Sequence, residues 1–132
     1  YAVSRDGKSC ATHPPYVGYY RWLCPSKPEV IAFLKNEAEK ILSKDYIDGL
    51  HLDYIRFCYV VLPLNLWSQY KVDQRTEMAE YDFCYCETCR AKFKAQTGKD
   101  PLEFRYPDEA LSWRLFRYEA INNVVNVRVI SG

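Results

Sequence analysis

Residues 46 to 57, YIDGLHLDYIRF, alternate apolar and polar positions, and this period of two is typical of a half-buried β-strand. On such a strand His51 and Asp53 share one face, opposite Leu50, Leu52 and Tyr54. A charged group beside apolar surface costs several kcal/mol unless it is paired or solvated. Asp53 is therefore either a structural buried partner or a member of a site. Residues 1–5, YAVSR, predict a second, shorter strand.

Three other segments have a helical period instead. The first begins at CPSKPEV, where Ser26 is expected to cap the helix while Glu29 reaches back to its amide. Its apolar stripe, which must pack on a sheet or on another helix, is Val30, Phe33, Leu34, Ala38, Ile41 and Leu42. A second helix is predicted over residues 88–97, where Gly98 stops it. A third, capped by Asp108, has as inward positions Leu111, Trp113, Phe116, Ala120, Ile121, Val124 and Val125. The tail VNVRVISG fits either a frayed helix end or a further strand.

The resulting order, β-α-β-α-α, predicts an α/β fold of parallel strands with flanking helices. Residues 58–83 have no clear period, and a loop of this length is usually functional or stabilised by something other than a core. A sheet of two parallel strands would leave unpaired edges. We therefore expect residues 1–132 to be a single segment whose sheet is completed by absent sequence or, in a homodimer, by a second copy.

Composition narrows the function classes. The 18 basic and 17 acidic residues leave a net charge of +1, so the basic excess needed for nucleic-acid binding is missing. No apolar run reaches the roughly 18 residues of a membrane span. Hydrophobic residues at 48% and charged residues at 27% are typical of a globular chain. Because the sequence opens directly on a predicted strand, we expect it to be a piece of a longer chain.

The six cysteines are the densest chemical signal. Three form C-x-C-x-x-C in CYCETC, as Cys84, Cys86 and Cys89, on a loop that enters a helix. Zinc takes four such ligands in a tetrahedron, and amides at a helix start favour thiolate charge. We predict a structural zinc with Cys24, just before the first helix, as the fourth ligand, although Cys10 or His13 would also serve.

Two other interpretations of the cysteines stay open at this stage. Disulfides would form if the protein is exported, for example Cys10 with Cys24 plus a pair within CYCETC. Alternatively, the thiols are free and buried. A redox role for the C-x-x-C is weakly supported, because the βαβ context of a thioredoxin is missing.

A substrate site is predicted where the parallel strands end, since ligands bind beyond the carboxyl ends of such strands. Asp53 lies near one end, Arg5 ends the first strand, and Arg56 follows closely. A guanidinium nearby keeps a carboxylate ionised, as a nucleophile must be, but the same residues also fit a structural Asp–Arg pair. His51 fits a core histidine or a substrate contact, and Trp67 fits packing or sugar stacking. Neighbouring side chains that we interpret mostly as packing groups or solvated loop charges are Tyr19, Tyr70, Glu80, Asp82 and Glu87.

Four motifs, YRWLCPSKPEV, IDGLHLDYIRF, YDFCYCETCRAKFKAQTGKDP and WRLFRYEAI, resemble glycoside hydrolase-like (β/α)-barrel proteins of the Bacteroidetes type. The resemblance covers roughly residues 16–125, nearly the whole chain. The second motif also resembles the fourth strand of α-amylase-type barrels, whose G-F-R-x-D pattern ends in the nucleophile. Here the strand reads Gly49-Leu50-His51-Leu52-Asp53, with histidine in place of the arginine.

The resemblance implies a partial TIM (β/α)8 barrel, from about strand three through the helices after strand four. It implies a glycoside hydrolase acting on O-glycosidic bonds of oligo- or polysaccharides, with Asp53 as nucleophile or substrate-binding acid. Arg5, His51, Arg56 and Trp67 would then contact the carbohydrate. The second carboxylate that hydrolysis needs would lie on a later strand, so the isolated chain would be inactive. Such a protein would be periplasmic or secreted.

Two non-catalytic alternatives remain open beside the hydrolase. One is a carbohydrate-binding or scaffold protein on the same fold, stabilised by a zinc bound to cysteines. The other is an interaction module in which the metal is the essential feature.

Overall fold

Four α-helices supply most of the regular structure in the computed structural model, which describes residues 1–57 and 61–127. They are α1 (Pro28–Leu42), α2 (Trp67–Tyr70), α3 (Glu87–Thr97) and α4 (Leu111–Val125). Short 3-10 turns lie at Leu64–Leu66, Ala79–Tyr81, Pro101–Glu103 and Pro107–Glu109. In the part of the chain that is described, no helix is both long and apolar enough to cross a bilayer.

The three long helices lie where the hydrophobic period predicts them, but two of the predicted caps are wrong. Lys27 is the N-cap of α1, and the buried hydroxyl of Ser26 has no hydrogen-bond partner. Asp108 belongs to the turn before α4, whose N-cap is Ala110. Gly98 does end α3, with φ +77°, a conformation that glycine adopts without the steric cost of a Cβ.

The predicted α/β fold, a partial TIM (β/α)8 barrel, is wrong, because the described residues contain no sheet. Strand-like pairing is limited to two isolated antiparallel bridges, Val3 with Ser9 and Ser4 with Phe83. Residues 46–57 form no bridge, and Tyr54 interrupts their extended course at φ +52°. Alternation produces a strand only when a neighbouring segment pairs with its amides. A homodimer was expected because a small sheet would leave an unpaired edge. The described residues contain no such edge, so this reason no longer applies. The end of the VNVRVISG tail, 128–132, lies outside them.

An aromatic core joins α3 to α4. Phe93 and Trp113 are fully buried, with ring centroids 5.0 Å apart, and Trp113 stacks on Phe116 at 5.3 Å. Aromatic pairs of this kind contribute about 0.5–1.5 kcal/mol each beyond the area they bury. The inward positions Trp113, Phe116 and Ala120 are confirmed, whereas Leu111 is 61% exposed and Val125 is 47% exposed.

The apolar stripe of α1 is not covered in the same way. Only Val30 of this helix is buried, while Phe33 is 52% exposed and Ile41 is 44% exposed. The sheet or helix that the stripe was expected to pack on is missing from the described residues. The tightly packed part of the molecule is instead the aromatic core, which continues into a group of buried cysteines.

Candidate metal centre

Four cysteine sulfur atoms meet beside the aromatic core. The Sγ atoms of Cys24, Cys84, Cys86 and Cys89 all lie within 4.8 Å of one another, and all four residues are buried. Cys24 Sγ is 3.6 Å from Cys86 Sγ and 3.4 Å from Cys89 Sγ. In a tetrahedron with Zn–S bonds of about 2.3 Å the sulfur atoms are about 3.8 Å apart. The predicted convergence of these four residues is confirmed, and the arrangement is able to hold a metal ion.

The local fold explains why three of these cysteines come from one short segment. Cys86 is the N-cap of α3, and its Sγ accepts a hydrogen bond from the Cys89 amide at 3.4 Å. Cys89 lies in the first turn of α3, and Cys84 precedes the helix on the extended stretch that bridges to Ser4. The spacing C-x-C-x-x-C therefore places one thiol before the helix, one at its cap and one inside it.

Distant parts of the chain complete the cluster. Cys24 approaches from the loop before α1, and Lys92 of α3 donates to the Ser26 carbonyl at 2.6 Å, which ties that loop to α3. The Val3 amide donates to Cys84 Sγ at 3.3 Å, so the N-terminal segment also contacts a sulfur atom. Such amide donors stabilise negative charge on sulfur.

The other candidates for the fourth ligand are elsewhere. Cys10 is buried, but its thiol donates to the Trp22 carbonyl at 3.1 Å, and His13 is exposed with its Nδ1 2.9 Å from the Thr12 hydroxyl. All five described cysteines are free thiols. The disulfide of Cys10 with Cys24 is therefore wrong for this structure. Cys58 lies outside the described residues.

Hydrogen bonds among the four thiols shift their pKa values in opposite directions. Hydrogen bonds from Cys24 and Cys84 lower the pKa of Cys86, and a hydrogen bond from Cys84 lowers that of Cys24. Hydrogen bonding to Cys24 raises the pKa of Cys84 and of Cys89, and burial adds to both effects. Without a cation, Cys84 and Cys89 thus stay protonated near neutral pH. A divalent ion would let all four ionise.

A buried polar network adjoins the cluster through Tyr85, the residue between Cys84 and Cys86. The Tyr85 hydroxyl donates to Asp82 Oδ2 at 2.7 Å and accepts from Trp113 Nε1 and Arg117 Nη2, both at 3.2 Å. Arg117 also donates to Asp82 Oδ1. Burial raises the pKa of Asp82, and the Arg117 charge opposes that shift.

The sequence interpretation missed this network, because Asp82 was assigned to the solvated loop charges. Its side chain is buried, at 2% exposure. Arg117 follows Trp113 by four positions on the apolar stripe of α4, so one signal was available: a charge inside an apolar stripe requires a buried partner.

The predicted carbohydrate-binding residues lie in separate places. Arg5 is 3.8 Å from Asp82 and 3.7 Å from Glu77, so it belongs to the buried network. Trp67 is half-buried and donates its indole N–H to the Leu62 carbonyl at 2.9 Å.

Asp53 and His51 are exposed and line a groove between α1 and the end of α4, whereas Arg56 lines a different cavity. The Asp53 carboxylate accepts from the Tyr54 amide at 2.8 Å. Catalysis by Asp53 and carbohydrate binding by these residues stay predictions.

Searches against protein-family profiles, curated proteins and solved structures find no match for the chain. The resemblance to glycoside hydrolase-like (β/α)-barrel proteins is wrong on this evidence, since such a barrel is built on a parallel sheet and the described residues contain none. The most distinctive part of the motifs that suggested it, CYCETC, is explained by the local geometry of the sulfur cluster.

Proposed function

We propose that this chain is a zinc-binding module in which one Zn²⁺ ion, held by Cys24, Cys84, Cys86 and Cys89, organises the fold. The observation that carries the proposal is the convergence of four buried thiols within 4.8 Å of one another. Thiolate ligands favour zinc over magnesium or calcium, and four of them leave no site for a hard, oxygen-seeking ion.

The closure of the site supports a structural role over a catalytic one. A catalytic zinc usually has three protein ligands and keeps one position open for water or substrate, whereas structural sites use four protein ligands. Here all four candidate ligands are protein sulfurs, and none is more than 4% exposed. The ion would join the loop before α1 to the start of α3, two parts of the chain that the bond from Lys92 to the Ser26 carbonyl also connects.

This role fits the non-catalytic interpretation, a scaffold whose surfaces are presented by a metal-stabilised core. Structural zinc sites supply a large part of the folding free energy of small domains, on the order of 10 kcal/mol. Most of α1 and of residues 46–57 is exposed, so these segments bury little apolar surface, and zinc binding would add to the folding free energy.

Two cysteines offer a matched test. Cys24 and Cys10 are both fully buried and both lie outside CYCETC, but only Cys24 has its sulfur in the cluster. We expect the purified chain to contain about one zinc by mass-spectrometric metal analysis. Cys24→Ser should lose this zinc to a competing chelator, and Cys10→Ser should retain it.

The same measurements can contradict the proposal. Zinc retained by Cys24→Ser but lost by Cys10→Ser would show that the ligand set is wrong. A metal-free chain that unfolds cooperatively, with the same stability before and after zinc addition, would overturn the structural role. Iron in place of zinc would absorb visible light and would correct the identity of the ion.

A further inference from the structure

A second feature, distinct from the sulfur cluster, is a cavity of about 600 Å³ beside α4. Its size is within the range of small-molecule sites. Apolar and aromatic side chains form part of its wall, namely Phe57, Tyr118 and Ile121. Three guanidinium groups, from Arg56, Arg114 and Arg117, also line it, together with one carboxylate, Asp108.

The three arginines are not equivalent. Arg117 is buried and already paired with carboxylates, because it donates to Asp82 and its Nη1 lies 3.8 Å from Asp108 Oδ1. Arg56 and Arg114 are exposed, and neither forms an ion pair with a carboxylate of the described residues. Two cations therefore remain for a ligand at the edge of this cavity.

Arg117 forms a part of the cavity wall that is held in place by its neighbours. Its guanidinium carbon is 4.8 Å from the ring centroid of Trp113, 5.7 Å from that of Tyr85 and 5.8 Å from that of Phe57. These contacts, added to the ion pair with Asp82, hold the group in one orientation. A preformed wall lowers the entropy cost of binding.

We propose that this cavity binds a small organic anion. Its flat apolar body would lie against Phe57, Tyr118 and Ile121, and its carboxylate or phosphate group would lie between Arg56 and Arg114. Arginine is suited to both anions, since its planar fork matches two oxygen atoms at once. Asp108, on the Arg117 side, disfavours an anion there and directs the charged end toward the other two arginines.

Four probes separate the contributions of charge and apolar surface. Phenyl phosphate carries both features, inorganic phosphate carries the charge alone, and benzyl alcohol carries the ring alone; benzoate compares a carboxylate with the phosphate. Binding is measured by titration calorimetry on the full 132-residue chain with its metal content determined beforehand. We expect phenyl phosphate or benzoate to bind more tightly than either single-feature probe, and more weakly as salt is added.

Three variants test the assignment. Arg56→Ala and Arg114→Ala should each lower the affinity about tenfold, the usual scale for one charge-assisted contact. Arg105→Ala is the matched control. Both Arg56 and Arg105 are exposed and lie over the ring of a neighbouring tyrosine, at 5.4 Å for Tyr54 and 5.3 Å for Tyr106, but Arg105 does not line the cavity. Arg105→Ala should leave the affinity unchanged.

Two outcomes would overturn the proposal. One is that none of the four probes binds to folded, metal-loaded protein at millimolar concentration; the other is that Arg105→Ala weakens binding as much as Arg114→Ala does. Neither bears on the zinc proposal, which is tested by metal content and by the effect of zinc on stability. Conversely, a chain without zinc that is folded and still binds phenyl phosphate through Arg56 and Arg114 would support the cavity and contradict the structural role of the metal.

Discussion

Two stretches of equal length, residues 82–93 (DFCYCETCRAKF) and residues 46–57 (YIDGLHLDYIRF), contain similar residues and have opposite environments. In the first, Asp82, Phe83 and Phe93 are each at most 2% exposed. In the second, Asp53 is exposed and Leu52 is 45% exposed. Both stretches carry aromatic groups and two carboxylates, so these residue types do not decide between the two environments.

The difference lies in what else each stretch meets. Residues 82–93 supply three of the four clustered thiols and one half of a buried ion pair, and contacts from the N-terminal segment, from the loop before α1 and from α4 converge on them. Residues 46–57 have an alternating pattern but pair with no strand in the described chain, and Phe57 at their end packs against the core. An apolar pattern alone does not bury a segment, because burial requires a surface that completes the contact.

We expect low pH to have the largest effect on the difference between the two stretches. Four thiolates are needed to hold the ion, and two of them, Cys84 and Cys89, have raised pKa values in the metal-free cluster. Zinc binding near neutral pH therefore releases at least the two protons of Cys84 and Cys89, and the affinity should rise at least about 100-fold per pH unit. Lowering the pH reverses this, so the ion should leave and residues 82–93 should lose their packing.

Competition with a zinc-binding dye across pH 6 to 8 measures this slope, and tryptophan fluorescence follows the burial of Trp113 in the same samples. Cys10→Ser should give the same slope as the unaltered chain, because Cys10 is not in the cluster. An affinity independent of pH would mean that the four thiols are already ionised or that they are not the ligands.

The same contrast explains what the sequence could and could not predict. Helix positions follow from a local hydrophobic period, so α1, α3 and α4 could be predicted. The sulfur cluster follows from the spacing within CYCETC and from the position of Cys24 just before a helix, so its four members could be predicted too. The absence of a sheet from the described residues could not be predicted, because whether a segment forms a strand depends on a pairing segment that can lie far away in the sequence. The pairing of Asp82 with Arg117 spans 35 positions, and no local period reports it.

A smaller effect is expected from paired truncations in the two stretches. Phe93→Ala removes a fully buried ring that contacts Trp113, Phe116 and Phe104, and should lower the free energy of unfolding by about 3–5 kcal/mol. Leu52→Ala, at a half-exposed position, should change it by less than about 0.5 kcal/mol. Urea unfolding of the zinc-loaded proteins measures both. Equal losses would show that residues 46–57 are packed as tightly as residues 82–93.

The smallest and most discriminating comparison uses the two aspartates. Asp82→Asn keeps the shape of the side chain but leaves the buried Arg117 without its closest anion, and should cost about 1–3 kcal/mol of unfolding free energy. Asp53→Asn should cost less than about 0.5 kcal/mol, since Asp53 is exposed. The double variant Asp82→Asn with Arg117→Met separates charge from packing, because an isolated buried cation is more costly than no ion pair at all. If the double variant is more stable than Asp82→Asn alone, the loss comes from the unpaired charge of Arg117; if it is less stable, Arg117 contributes mainly through its stacking on Trp113.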